Sequence, residues 1–498
     1  MTDVGSTKDY YSVLRIPATA SAEEIRQAYH ALVCRYQSGA CEKDIEEFQA
    51  AQEAYRVLSN RESRAAYDLA RRAEPEGEPV RLRITQSREC VPLHQGEQML
   101  YLLCDIGFDP RAISKSTRLN LALVIDCSAS MKGQRLRQVQ RAALEMVEAL
   151  QAKDRLSIVT FNDRADVVVP SSLAGGARLR LHSAIVSLVA RGGTEIYRGL
   201  LAGIDQLRQS STAGETAHVI LLTDGHTYGD ETLALAAAER ARVDGIGISA
   251  LGIGEDWNDR FLDELTRRGG GTTHYVSLAD RVCDVLRSEI LDLSQTALRD
   301  VTLRVNVSDD VSVVAVYRAA PYLESLPAQE SEVYRLGRLS YEDLHAVVIE
   351  LIIRPDSLGD HQVATILVEG LGGGRSGWVR GCAEARVKVT QEVVPMKVPP
   401  RLINVLARLA AYRLQEQAWQ ALEAGDVEQA TQHLRSAATR LFALGQPELG
   451  QVALREVDRI ASSHLPSEGG RKRLRYGTRA LALPQGDVTE RVDVTERV

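Results

Sequence analysis

The chain is poor in cysteine and has no apolar run long enough to cross a membrane. Its seven cysteines are spread over 498 residues, and no two of them form a C-x-x-C pair. An odd, scattered set favours neither a disulfide framework nor a zinc site, and it indicates a reducing compartment. Residues 1–5 lack the basic and then apolar order of a secretory signal. We therefore expect a cytoplasmic protein with no membrane partner.

Several widespread catalytic motifs are missing as well. The sequence contains no H-E-x-x-H motif, no P-loop, no G-x-S-x-G motif and no dinucleotide fingerprint. With 67 acidic and 60 basic residues, the formal net charge is -7, whereas a dedicated nucleic-acid binder is usually basic. These absences argue against an enzyme of the corresponding classes and against a nucleic-acid partner.

The first predicted module, residues 8–72, is entirely helical. Ser21 and Glu24 have the spacing of a capping box, and a helical pattern follows over 25–36. A second helical stretch carries one apolar stripe. The stripe consists of Phe48, Ala51, Ala54, Tyr55 and Leu58. The polar, proline-containing segment 73–79 is predicted to be a linker.

The rest of the chain predicts a multidomain α and β protein. Period-two patterns over 80–117 and 295–392 predict strands of one antiparallel β-sandwich. Between them, strand-like runs alternate with helical patterns over 118–294, which predicts a doubly wound α/β domain inserted in or flanked by that sandwich. Residues 399–463 predict a bundle of three amphipathic helices, broken at Gly425 and Gly445. Residues 464–498 are expected to be a tail, with a solvated or partner-binding basic cluster over 471–475.

Three short polar segments of the α/β region follow strand-like runs and together predict a metal site. The first is a D-x-S-x-S motif over 126–130, and the other two lie in glycine-containing turns. Segments at the carboxyl ends of parallel strands meet at the edge where α/β folds bind ligands. Their hydroxyls and carboxylates are hard oxygen donors, which suit Mg²⁺ or Mn²⁺. The predicted set is Asp126, Ser128, Ser130, Thr194 and Asp224.

Within this set, Asp126 is expected to hold a metal-bound water rather than the ion. Few anionic ligands would leave the ion electron-poor, so that an Asp or Glu of a partner protein could complete its coordination. The alternative is that the three segments are only caps and turns, since each motif alone is common in unrelated chains. Their presence together, in order and on an alternating β/α background, favours the metal site.

On these residues, 118–294 resembles a von Willebrand factor type A domain, and all five positions match the metal-ion-dependent adhesion site of that family. The resemblance implies metal-dependent binding of a protein partner, often with a helix shift that alters affinity.

Residues 8–72 resemble a J domain, the DnaJ-type co-chaperone module. The matching motifs are Asp9-Tyr10-Tyr11-x-x-Leu14, Ile25-x-x-Ala28-Tyr29, Ala54-Tyr55-x-x-Leu58 and Arg64-x-x-Tyr67-Asp68. The His-Pro-Asp that triggers ATP hydrolysis in the DnaK-type chaperone is replaced here by Gln37-Ser38-Gly39. We interpret the module as a degenerate J domain that is kept for docking or spacing.

The last twelve residues repeat the sequence D-V-T-E-R-V twice. Thr489 and Thr495 each have a valine at the third following position, and forkhead-associated domains read phosphothreonine together with that position. A phosphorylated tail could therefore recruit a forkhead-associated-domain protein, with avidity from two copies. A terminus with no binding role is the alternative, and we favour it.

The sequence therefore predicts a cytoplasmic, bacterial, non-enzymatic scaffold that binds an acidic residue of a partner protein through Mg²⁺ or Mn²⁺. The rival function is that of a DnaJ-like co-chaperone or regulator of a DnaK-type chaperone, acting through residues 8–72. A metal-dependent hydrolase is a third class, for which the sequence offers no general base beside the site.

Overall fold

The structure, a computed structural model, falls into two compact units, Met1–Gly77 and Glu78–Val498. In the first unit it describes Arg26, Ala28, Tyr29, Ala51, Ala54, Tyr55, Leu58 and Ser59. In the second it describes residues 79–482 apart from 94, 95, 110–117, 213, 214, 226, 228, 277–280, 330, 331, 373–376 and 392–396.

In the first unit, the described part of the apolar stripe faces inward. Ala51, Ala54 and Leu58 are buried. The rings of Tyr29 and Tyr55 stack, with centroids 4.2 Å apart and 10° between their planes. The other positions predicted to be helical in this unit, and the tripeptide 37–39, lie outside the described residues.

The second unit contains sixteen strands and ten α-helices among its described residues. The strands are β1 (Val80–Gln86), β2 (Cys90–Pro92), β3 (Gln98–Phe108), β4 (Arg118–Asp126), β5 (Arg155–Phe161), β6 (Ala165–Leu173), β7 (Glu215–Thr223), β8 (Ile246–Ile253), β9 (Gly270–Val276), β10 (Thr296–Val307), β11 (Val311–Ala320), β12 (Glu324–Leu326), β13 (Val333–Ser340), β14 (His345–Ile353), β15 (Gly359–Gly372) and β16 (Trp378–Thr390). The helices are α1 (Gln134–Ala149), α2 (Ala174–Val186), α3 (Ile196–Ser210), α4 (Glu231–Val243), α5 (Asp259–Gly269), α6 (Val282–Ser294), α7 (Pro400–Glu423), α8 (Val427–Ala443), α9 (Pro447–Ser463) and α10 (Glu468–Arg479).

Two five-stranded sheets form a β-sandwich around one apolar core. Their strand orders are β1-β3-β14-β11-β12 and β13-β10-β15-β16-β2, and all neighbouring strands are antiparallel except β16 and β2. The first sheet is apolar on both faces: Leu102 and Cys104 of β3 face the sandwich core, whereas Leu103 packs in the cluster that contains the C-terminal helices. Successive residues of a strand point to opposite faces, so one strand serves both cores.

A six-stranded sheet of order β6-β5-β4-β7-β8-β9 forms the α/β domain. All its neighbouring strands are parallel except the edge pair β5 and β6. Helices α1, α2 and α6 cover one face, and α3, α4 and α5 cover the other. A central strand covered on both faces is buried along its length and mostly apolar, and β4 is buried from Leu119 to Asp126.

The α/β domain is inserted in the sandwich, because β1 and β3 precede it in the chain and pair with each other and with β14, which follows it. The predicted fold class is therefore confirmed: an α/β domain within an antiparallel β-sandwich, followed by a helical bundle.

The breaks between the C-terminal helices lie at Gly425 and Gly445, as the sequence predicted. Gly425 has a positive φ of 83°, and the Asp426 carboxylate then accepts a hydrogen bond of 2.9 Å from the Gln429 backbone as the N-cap of α8. Leu402 and Val405 of α7 pack in the same cluster as Leu103 of the first sheet.

The expectation of a solvated basic cluster over 471–475 was wrong. These residues lie in α10, where Lys472 is fully buried. Arg471 and Arg475 donate to the buried carboxylate of Asp259 at the start of α5, which supplies the charge that the cluster needs in order to be buried.

None of the helices that the structure describes is both long enough and apolar enough to cross a membrane.

Candidate metal centre

Asp126, the last residue of β4, fixes the loop that follows it through both carboxylate oxygens. The backbone N–H of Ser128 donates to Oδ1 over 2.8 Å, and the hydroxyl of Thr223 donates to Oδ2 over 2.7 Å. Burial raises the pKa of Asp126 to about 6, although the hydrogen bonds from Ser128 and Thr223 act in the opposite direction. Asp126 therefore organises the loop from beneath.

The hydroxyls of Ser128 and Ser130 and the carboxylate of Asp224 form one continuous chain of oxygen atoms. The two Oγ atoms lie 2.9 Å apart, and Ser130 donates to Oδ1 of Asp224 over 2.7 Å. Asp224 follows β7, the neighbour of β4 in the sheet, and its side chain is fully buried. Two segments 94 residues apart in sequence are thus brought into direct contact.

Thr194 belongs to the same cluster. A β-carbon built on Gly225 would lie 3.7 Å from Thr194 Oγ1 and 3.9 Å from Ser130 Oγ. The glycine therefore leaves a small space that both hydroxyls border. The structure brings all five predicted residues together at the carboxyl ends of β4 and β7.

Backbone hydrogen bonds hold the Thr194 loop against the loop that follows β4. The Ala129 N–H donates to Gly192 O over 3.0 Å, and the Arg191 N–H donates to Cys127 O over 2.7 Å. Gly192 has a positive φ of 80°, and a β-carbon there would approach Asp163 Oδ2 to 2.5 Å. Only glycine fits this position, so the close approach of the two loops depends on it.

A sixth residue, Arg135, contacts the cluster and was missed in the sequence. Its Nη1 lies 2.6 Å from Oδ2 of Asp224, and its Nη2 lies 3.4 Å from Oδ2 of Asp256, in the loop after β8. The only sequence signal was a basic residue in the first turn of α1, nine positions after Asp126, which pattern reading assigns to a solvated helix face.

The donor set fits a hard divalent cation. Three hydroxyls and the Asp224 carboxylate face one another, with Asp126 behind them, and oxygen ligands of this kind suit Mg²⁺ or Mn²⁺. Within the described residues, no group of three or more His, Cys, Asp or Glu side chains could hold a metal ion. A cation held here would therefore depend on the hydroxyls.

Cys127 lies inside the loop without taking part in the cluster. Its side chain packs in the core between the sheet and α1, and burial, followed by the charge of Asp126, raises the pKa of its thiol to about 12. It is a neutral core residue at physiological pH. Thr489 and Thr495 lie outside the described residues.

A mostly parallel, doubly wound sheet with a polar cluster at the carboxyl ends of its strands is the arrangement expected of a von Willebrand factor type A domain. In agreement, the family model described as von Willebrand factor type A domain matches residues 120–284. A DnaJ domain model matches residues 9–68, and a model described as Sll0103-like, C-terminal alpha-helical domain matches residues 400–484. The chain thus contains a von Willebrand factor type A domain and a DnaJ domain.

Known proteins match different parts of this chain. An uncharacterized protein, sll0103 of Synechocystis, is 26% identical over 382 residues, which cover 75% of this chain and 90% of that protein. Chaperone protein DnaJ 2 of Aquifex aeolicus is 40% identical over 90 residues, or 18% of this chain and 24% of that protein. The solved structure of von Willebrand factor type A from Catenulispora acidiphila has a TM-score of 0.67 at 19% identity, covering 82% of this chain and 98% of its own, and it shows the fold alone.

Proposed function

We propose that this chain is a scaffold that binds a protein partner through a divalent cation at the cluster of Ser128, Ser130, Thr194 and Asp224. Mg²⁺ or Mn²⁺, when bound, would supply an electron-poor site for a carboxylate. The chain's own residues bind and orient the ion: three hydroxyls and one carboxylate face it, and Asp126 keeps the loop in place. An Asp or Glu of the partner would occupy the remaining position.

The observation that carries this proposal is the chain of contacts from Ser128 to Ser130 to Asp224. The oxygen distances of 2.9 and 2.7 Å bring hydroxyls and a carboxylate from two loops to one point. Ser128 and Asp224 are buried, whereas Ser130 is exposed, so the cluster opens to solvent on one side. A site of this kind is accessible to a side chain that projects from another protein.

Three basic side chains around the opening also support an acidic partner, although the exposed carboxylates of Asp163 and Asp256 lie in neighbouring loops. Lys132, Arg164 and Arg191 are exposed residues of the loops around the cluster, and no ion pair within the described residues engages their side chains. The backbone N–H groups of Lys132 and Arg191 donate to Ala129 O and Cys127 O, respectively, which keeps both residues next to the loop after β4. We call Lys132, Arg164 and Arg191 the basic rim. A rim of this sign attracts acidic surfaces and repels basic ones.

We propose a binding role without catalysis. Within the described part of the site, the serine hydroxyls bond to each other and to Asp224, and no imidazole or amine activates either of them. The protonated thiol of Cys127 offers no nucleophile in their place. We further propose that the protein works in the cytoplasm, a setting in which the five free cysteines of the described residues would remain reduced.

Calorimetric titration of the full chain with MnCl₂ tests the metal site. We expect one binding event, abolished or weakened at least tenfold by Ser130→Ala and by Thr194→Ala, since each removes a ligand. Matched controls are Ser187→Ala and Thr439→Ala: the Ser187 hydroxyl, at the C-cap of α2, donates to Ala184 O, and the Thr439 hydroxyl donates to Arg435 O within α8. Equal affinity in all five proteins would contradict the proposal.

The partner can then be sought by affinity capture. Proteins retained by the wild type in Mg²⁺, released by EDTA and not retained by Ser130→Ala are those that use the site. Retention that is indifferent to EDTA, Asp126→Ala and Ser128→Ala would contradict metal-dependent binding.

The DnaJ domain match favours a second candidate function, that of a co-chaperone or regulator of a DnaK-type chaperone. Against stimulation of ATP hydrolysis stands the tripeptide Gln37-Ser38-Gly39 at the position of His-Pro-Asp. We expect the full chain to leave the steady-state ATPase rate of a DnaK-type chaperone unchanged. Stimulation that disappears when residues 1–75 are deleted would instead establish the co-chaperone function.

A further inference from the structure

Arg135 lies between two carboxylates that belong to different loops. Its Nη1 is 2.6 Å from Asp224, whose side chain is fully buried, and its Nη2 is 3.4 Å from Asp256, whose side chain is 75% exposed. The closer contact is with the carboxylate of the metal cluster. The Arg135 side chain is 34% exposed, and its guanidinium contacts both carboxylates at once.

Both carboxylate oxygens of Asp224 are therefore engaged by other side chains. Its Oδ1 accepts from Ser130, on the side of the metal cluster, while its Oδ2 accepts from Arg135. A divalent cation held by the cluster would share Asp224 with the guanidinium. Two cations on one buried carboxylate repel each other more strongly than in bulk water, because the partly buried site lowers the effective dielectric constant.

We propose that Arg135 is an internal counter-ion that exchanges between Asp224 and Asp256 according to the occupancy of the metal site. This inference rests on the proposed function. With no divalent cation bound, the guanidinium neutralises the buried Asp224. With the cation bound, its main contact passes to Asp256, and Asp224 serves the ion. A small rotation of the side chain suffices, since Nη2 already lies within ion-pair distance of Asp256.

The loop after β8 is shaped to receive the guanidinium. Gly254 has a positive φ of 81°, and a β-carbon there would lie 3.3 Å from Nη2 and 3.6 Å from Cζ of Arg135. The guanidinium therefore lies directly against the backbone of this loop, two residues before Asp256. A side chain at position 254 would be strained and would press on Arg135.

The backbone on both sides of Asp256 is held by the C-terminal helical bundle. Lys472 of α10 has a side chain that is 1% exposed, and its Nζ donates to Trp257 O over 2.6 Å and also to Glu255 O. The ammonium lies 4.9 Å from the centre of the Trp257 ring. Asp256 is thus a second carboxylate on a fixed backbone, so the exchange needs only the side chain of Arg135 to move.

Titration of four variants with MnCl₂ tests the exchange. We expect Arg135→Met to bind Mn²⁺ about tenfold more tightly than the wild type, because the competing cation is gone. We expect Asp256→Asn to bind about threefold more weakly, since the guanidinium has lost its alternative partner. The double variant should match Arg135→Met, because Asp256 acts only through Arg135. Arg135→Lys keeps the charge but cannot span both carboxylates, so its Mn²⁺ affinity should fall between those of the wild type and Arg135→Met.

Matched controls are Arg208→Met and Asp244→Asn, which break an exposed Arg–Asp pair on the edge opposite to the metal cluster. These should bind Mn²⁺ like the wild type. Asp256 is exposed, so its variant remains informative even if Arg135→Met fails to fold.

Unchanged or weaker Mn²⁺ binding by Arg135→Met would overturn the inference, as would an effect of Asp256→Asn that persists in the double variant. Either result would leave the proposed function intact, provided that the wild type binds Mn²⁺. Absence of Mn²⁺ binding by the wild type would overturn both.

Discussion

The hydroxyl of Thr223 donates a hydrogen bond of 2.7 Å to Oδ2 of Asp126, and both residues are fully buried. This bond joins the ends of β4 and β7, the two strands whose loops supply three of the four proposed ligands. Because Asp126 also accepts from the N–H of Ser128, the bond links the pairing of β4 and β7 to the position of the loop after β4.

Thr223→Val tests this coupling. The valine fills the same space but leaves a buried carboxylate oxygen without its donor, which costs about 1–3 kcal/mol in the free energy of unfolding. Urea denaturation in EDTA measures this loss, and Mn²⁺ affinity should fall with it because the loop is less well held. The control Thr439→Val lies on an exposed face of α8 and should change stability by less than about 0.5 kcal/mol. Equal stability of Thr223→Val and the wild type would show that the bond has no structural role.

The pH dependence of stability follows from Asp126. Burial raises its pKa to about 6, above the ordinary value of 3.8, so its ionised form destabilises the folded state. That cost is present above pH 6 and is relieved as the pH falls through 6 toward 4. In EDTA, we expect the stability of the wild type relative to Asp126→Asn to rise by about 1 kcal/mol from pH 7 to pH 5.

Urea denaturation of both proteins at pH 5, 6 and 7 gives this difference directly. Asp292, whose pKa burial also raises to about 6, is present in both proteins and cancels. A stability difference that does not change with pH would contradict the buried, hydrogen-bonded state of Asp126. With Mn²⁺ present, affinity should decline below pH 6, since protonation of Asp126 disturbs the loop that holds the ligands.

The clustering of Ser128, Ser130 and Asp224 was predictable because their positions depend on local signals. An apolar run ending in an aspartate, followed by two serines at a spacing of two, fixes both the end of β4 and the direction of its loop. Asp224 follows a similar run in β7, and strand order in a parallel sheet brings its loop and the loop after β4 to one edge. The expectation that the Thr194 segment also follows a strand was wrong, because that segment connects α2 to α3. The sandwich was predictable for a similar reason, because alternation with a period of two is visible in strands such as β1 and β10.

The contacts of charged side chains were not predictable in this way. Arg135 meets Asp224 across 89 positions, and Arg471 meets Asp259 across 212. The sequence around 471–475 contains no sign that this basic cluster pairs with a buried acid. The cluster was therefore wrongly expected to be solvated. Pairing between distant segments is set by the tertiary fold, whereas sequence patterns report local periodicity.

Asp259 is one of two acidic residues of α5 that hold α10, the other being Asp263, which accepts from Tyr476 and Arg479. The Asp259 side chain is 1% exposed and accepts hydrogen bonds from Arg471 over 2.7 Å and from Arg475 over 2.8 Å. Asp259→Asn leaves two largely buried guanidinium groups short of charge, which we expect to cost about 2–4 kcal/mol. Chemical denaturation measures the cost. Limited proteolysis in the exposed segment after α9 should also become faster, because α10 is released.

Asp244→Asn is the matched control for this substitution. Asp244 pairs with Arg208 at the surface, with 45% of its side chain exposed, and loss of such a pair costs about 0.2–1 kcal/mol. If Asp259→Asn were no more destabilising than Asp244→Asn, the buried ion pairs would not be what fixes α10.

The basic rim gives the last prediction, which concerns the rate of association with the partner. Lys132→Glu and Arg191→Glu each reverse a charge beside the proposed cation without removing a ligand. Long-range attraction acts mainly before contact, so we expect the association rate constant for a captured partner to fall about three- to tenfold per substitution at low salt. The dissociation rate constant and the Mn²⁺ affinity should change by less than about twofold.

Surface plasmon resonance at 50 and 300 mM NaCl measures both rate constants, and the differences should shrink at the higher salt because exposed charges are screened. Arg435→Glu, an exposed charge reversal on α8, is the control. An effect confined to dissociation, or one insensitive to salt, would mean that the rim contacts the partner directly rather than steering its approach.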